Sequence, residues 1–78
     1  MKSEKELFEL AKLMFHINLD LDKPNINSFE KEELKEKAKE IRNTLLQKGY
    51  DVNTFTEYQD MYSKMSVPEY FEFIKTLK

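Results

Sequence analysis

Apolar residues recur at helical spacing in four runs, each bounded by residues that start or stop helices. In the first run, stepping about 100° per residue puts Leu7, Leu10, Ala11, Met14 and Ile17 at the centre of one face. Phe8 and Phe15 lie on one flank of that face and Leu13 on the other. Ser3-Glu4-Lys5-Glu6 has the form of a capping box, so a helix is expected over about 3–17. Lys5, Glu9, Lys12 and His16 share the remaining polar strip. Apolar residues cover more than half the circumference, which implies a helix packed on two sides or one that leaves a flank for a partner.

The second run is a narrow seam of Leu34, Ala38, Ile41 and Leu45, with Leu46 off to one side. It predicts a mostly solvated helix over about 28–48, starting at Asn27 or Ser28 and ending at Gly49, whose missing Cβ suits a left-handed terminus. Glu33 with Lys37, Glu32 with Lys35 and Glu36 with Lys39 are spaced as ion pairs on its outer face. After a turn at Tyr50 to Asn53, a third helix is expected over about 54–65, capped by Asn53, or by Thr54 with Glu57. Phe55, Tyr58, Met61, Tyr62 and Met65 share its inward face. Ser66-Val67-Pro68-Glu69 opens a fourth helix over about 67–77, with Tyr70, Phe73, Ile74 and Leu77 inward and Val67 and Phe71 beside them. The expected fold class is all-α: a compact, single-domain bundle of four helices across residues 1–78, with the first packed on the other three.

Composition supports helices and removes several chemistries. One glycine and two prolines, with 36% charged residues, are too few turn formers for an all-β chain. Without cysteine there is no disulfide, thiolate metal site or thiol nucleophile, and one histidine cannot build a multi-histidine site. Thirteen basic residues against fifteen acidic ones, with Arg42 the sole arginine, lack the positive excess that phosphate-backbone binding needs. No apolar run approaches a membrane span, and the glutamates in MKSEKELFEL are foreign to a signal peptide, so a cytoplasmic protein is expected.

Candidate sites are few. Asn18, Asp20 and Asp22 resemble the start of a calcium loop, but from Asp20 the glycine and closing-glutamate positions hold Asn25 and Lys31, and from Asn18 they hold Lys23 and Phe29. Neither register can close the cage, so no metal is expected. His16 falls on a polar strip with no nucleophile or orienting carboxylate assembled beside it. A single glycine rules out most nucleotide-binding fingerprints, so no cofactor, small-molecule substrate or catalytic residue is expected. Residues 38–64 also fit a DNA-binding helix-turn-helix, though its outward face carries Glu57 and Asp60 against Lys64.

The aromatic residues are the stronger signal. Phe8, Phe15, Tyr62, Tyr70 and Phe71 lie at the margins of their apolar faces, and a chain of 78 residues has little interior to hold them. Rings at a surface margin are the usual anchors of protein interfaces. These five are therefore the expected partner-binding residues of a non-enzymatic regulator, inhibitor or adaptor, acting on another protein or on a second copy of itself.

Overall fold

The computed structural model describes residues 3–77, which form four helices and no strand: α1 (Glu4–Leu21), α2 (Ser28–Lys48), α3 (Val52–Lys64) and α4 (Val67–Lys75). The all-α bundle read from the hydrophobic pattern is the observed architecture.

Three helix boundaries differ from expectation. α1 continues four residues beyond Ile17, because nothing in Asn18-Leu19-Asp20-Leu21 breaks a helix and the first obstacle is Pro24. Asp20 is therefore helical and pairs with Lys23 at 3.0 Å, while Asp22 caps the helix. The extension also turns Leu19 outward. It lies two residues, or about 200° of helix, from both Ile17 and Leu21, and is 49% exposed. α3 starts at Val52, earlier than expected, because Asp51 is its cap: the carboxylate accepts from the Asn53 amide at 3.2 Å and the Thr54 hydroxyl at 2.9 Å. Thr54 is thereby committed as a donor. α4 ends at Lys75, two residues short of Leu77.

The other termini follow the chemistry of their residues. Asn27 accepts from the Glu30 amide at 2.8 Å and donates back to the Glu30 carboxylate at 3.2 Å. Gly49 takes φ 70°, in the left-handed region, and lets the Tyr50 amide return to the Leu45 carbonyl at 3.0 Å. Ser66 and Glu69 form a complete capping box on α4, with Pro68 in the first turn. On α2 the ion pair from Glu32 to Lys35 forms at 4.0 Å, whereas those expected for Glu33 with Lys37 and Glu36 with Lys39 are not formed among the described residues.

α1 is packed on two sides. Leu7, Ala11, Met14 and Ile17 join Ala38, Ile41 and Leu45 of α2, with Tyr50 and Phe55, in one buried cluster. Phe8, on the other flank, is fully enclosed by rings from α3 and α4. The molecule is a slab of 38 × 31 × 17 Å with a radius of gyration of 13.3 Å, against about 11.5 Å for a compact globule of this length. Its thin dimension limits the interior. α4 accordingly has no buried residue, Met61 of α3 is 37% exposed despite its expected inward position, and Val67 and Phe71 face water.

Candidate functional site

Phe8 organises the aromatic half of the domain. Its ring centroid lies 5.3 Å from Tyr58, 6.2 Å from Tyr62, 5.9 Å from Tyr70 and 4.9 Å from Phe73, in edge-on, stacked and tilted contacts. Such pairs contribute about 0.5–1.5 kcal/mol each beyond area burial. The tyrosine bodies point toward Phe8, and each hydroxyl is held by a polar side chain of α1. Tyr58 donates to the Glu4 carboxylate at 2.5 Å, Tyr62 lies 2.9 Å from His16 Nε2, and Tyr70 accepts from Lys12 Nζ at 3.3 Å. The contact with Glu4, followed by desolvation, pushes the Tyr58 phenol up to about 12. Glu4, Lys12 and His16 of α1 thus fix the aromatic wall in place.

Outside this cluster, the joint between α3 and α4 leaves an open cleft of about 320 Å³ against α1. Phe15 and His16 form its α1 side, Tyr62 and Met65 its α3 side, and Val67 and Phe71 its α4 side, with Lys12 and Tyr70 also lining it. Phe15 is half-buried and meets Tyr62 edge-on at 5.4 Å; Tyr70 meets Phe71 at 5.3 Å. Phe71 is 56% exposed and Val67 69%. Lys12 lies 4.5 Å from the centroid of the Tyr70 ring, a cation–π contact, and no carboxylate lines the cleft. Its two serine hydroxyls are committed to backbone, Ser63 donating to the Asp60 carbonyl at 2.6 Å and Ser66 accepting from the Glu69 amide at 3.4 Å. His16 Nε2 meets the Tyr62 hydroxyl.

Of the five residues expected to bind a partner, Phe15, Tyr62, Tyr70 and Phe71 converge on this cleft. Phe8 does not. Rings from α3 and α4 cover it completely, which corrects its assignment as a contact residue and makes it the cleft's support. His16, on the polar strip with Lys5, Glu9 and Lys12, is exposed, and its partner is the Tyr62 hydroxyl.

A second polar junction was not anticipated. The Tyr50 hydroxyl accepts from the Ser3 amide at 2.9 Å, lies 3.3 Å from the Ser3 carbonyl and donates to the Glu6 carboxylate, which also receives Lys48 at 2.7 Å. Glu6 therefore turns away from the capping box expected of it. Lys48, then Tyr50, hold its carboxyl below the ordinary value of 4.5. Desolvation, then Glu6, push the Tyr50 phenol up.

Among the described residues, no group of three or more His, Cys, Asp or Glu is arranged to hold a metal, and no helix is long and apolar enough to cross a membrane. The chain matches no protein family, no characterised protein and no solved structure.

Proposed function

We propose that this protein is a small interaction module, a non-enzymatic regulator, inhibitor or adaptor, that docks a protein partner in the aromatic cleft between α1 and the α3–α4 joint. The observation that carries this reading is the exposure of Phe71 and Val67, 56% and 69%, next to the half-buried rings of Phe15, Tyr62 and Tyr70. Interfaces draw most of their affinity from a few aromatic anchors seated among packed neighbours. Here the neighbours are already ordered by hydroxyl contacts to α1, so a partner meets a surface with little side-chain freedom left to lose. In this reading the module works in the cytoplasm. The DNA-binding alternative at 38–64 has less support, since Asp51 caps the N-terminus of the would-be recognition helix with a carboxylate that phosphates would avoid.

The test replaces Phe71 with serine. The ring makes its one close aromatic contact with the adjacent Tyr70, so helicity and melting temperature should stay near those of the parent. Affinity for the partner captured from the source cell should fall about 30-fold or more, the scale of losing one interface anchor. An unchanged affinity in a folded Phe71→Ser protein would refute the reading.

A further inference from the structure

We propose that the occupant of the cleft is a second copy of this chain, which inserts Phe29, from the first turn of its α2, between Phe15 and Phe71. The inference rests on the cleft being an interaction surface and adds the identity of what enters it.

Phe29 is 72% exposed, more than any other aromatic ring among the described residues. Its own fold cannot shelter it. Stepping about 100° per residue places it roughly 150° round α2 from the seam of Leu34, Ala38, Ile41 and Leu45. Around it lies a shallow depression lined by Glu32, Glu33, Glu36 and Lys37, three carboxylates against one ammonium. The same helical stepping places Glu40 on this stripe. Glu33 and Glu36 have no ion-pair partner among the described residues, and Glu32 reaches Lys35 only at 4.0 Å.

The cleft has the opposite character. It is lined by Lys12 and His16 and by no carboxylate, in a chain whose net charge is -2. Glu69 and Glu72 adjoin its α4 residues in sequence, Asp60 lies two residues before Tyr62 and Glu9 three before Lys12; none of them lines it, and Glu69, Glu72 and Asp60 are engaged with Ser66, Lys75 and Lys64. Lys12 meets Tyr70, through its hydroxyl and its ring, and has no carboxylate partner among the described residues, so its ammonium is available to one from outside. Space is adequate as well: an enclosed cavity of about 150 Å³ holds benzene, and the cleft offers about 320 Å³. Ring and pocket, acid and base therefore match between two different patches of one surface. Because it pairs two different patches, the contact closes a two-fold dimer only when each copy gives its Phe29 to the other's cleft, and otherwise runs head to tail. One ring per contact buries little area, so the association is weak and depends on concentration.

The experiment is sedimentation velocity with ¹⁵N-¹H correlation spectra on the full chain, from about 10 µM to about 1 mM at low salt, where charge complementarity is least screened. The expected result is a rising sedimentation coefficient, with concentration-dependent shifts at residues 12–16 and 62–71 together with residues 28–36. Phe29→Ser and Lys12→Glu should each weaken the association at least tenfold. Lys12→Glu combined with Glu33→Lys in one chain should recover most of it, which rules out misfolding as the cause. Shifts confined to the cleft, or unchanged self-association of Phe29→Ser, would overturn Phe29 as the occupant while leaving the cleft as an interface. A monomer with no shifts at about 1 mM would overturn self-docking, and the capture experiment with Phe71→Ser would still judge the cleft independently.

Discussion

Replacing Phe8 with alanine is expected to cost about 3–5 kcal/mol and to lower the melting temperature by roughly 15–30 °C. Phe8 has no exposed surface and meets four rings from two helices; Tyr58, Tyr62 and Tyr70 cannot collapse into the space without abandoning their hydroxyl contacts to α1, and of the four Phe73 alone lacks such a tie. A domain of this length has a total stability of about 4–12 kcal/mol, so the loss consumes a large part of it. α4 should suffer first, since it has no buried residue and reaches α1 mainly through Tyr70 and Phe73. Urea unfolding followed by far-UV circular dichroism measures the effect. A loss below about 1 kcal/mol would show that the aromatic cluster does not depend on its central ring.

Removing one oxygen at Tyr50 should cost less but change how the protein responds to acid. Tyr50→Phe leaves the Ser3 amide and the Glu6 carboxylate without the hydroxyl that joins them, at about 1–2 kcal/mol for a partly solvated site. The pH effect follows from direction alone. Glu6 is held below its ordinary 4.5 by Lys48 and Tyr50; Asp51 is held below 3.8 by the Thr54 hydroxyl and the Asn53 amide; Glu69 is held below 4.5 by the backbone and side chain of Ser66. A carboxyl depressed in the folded state stabilises it above the unfolded pKa, and that contribution is lost as pH falls through the folded value. The melting temperature should therefore hold down to about pH 4.5 and decline below it, with a shallower decline in Tyr50→Phe and in Glu6→Gln. Equal slopes in parent and variants would show that the junction does not couple to protonation.

Much of this architecture is legible in the residues, and the gaps have specific causes. The seam on α2, the left-handed Gly49 and the box at Ser66 are local signals, and nothing elsewhere in the chain competes with them. α1 runs longer than its apolar periodicity because Asp20 and Asp22 have the look of loop residues, yet the helix needs a breaker and meets none before Pro24. The cap at Asp51 hides in a stretch, Tyr50 to Asn53, that has the composition of a turn, although an aspartate three residues before a threonine can bond both the Asn53 amide and the Thr54 hydroxyl. The error at Phe8 is of another kind. Angular position makes Phe8 and Phe15 equivalent on one flank of α1, and only the rings that α3 and α4 bring over α1 decide which of them is covered. Phe29 was legible and passed over, since its angle opposite the seam already excludes it from the core. The Tyr50 junction joins residues more than forty positions apart, and no local pattern announces it.

The central claim is that the aromatic rings divide into one enclosed support and a group left open at the α3–α4 joint. Hydroxyl-radical footprinting of the dilute monomer, read residue by residue by mass spectrometry, tests this most directly. Phe71 should oxidise rapidly, Phe15 more slowly, and Phe8 should be almost completely protected. Protection of Phe71 equal to that of Phe8 would contradict the claim.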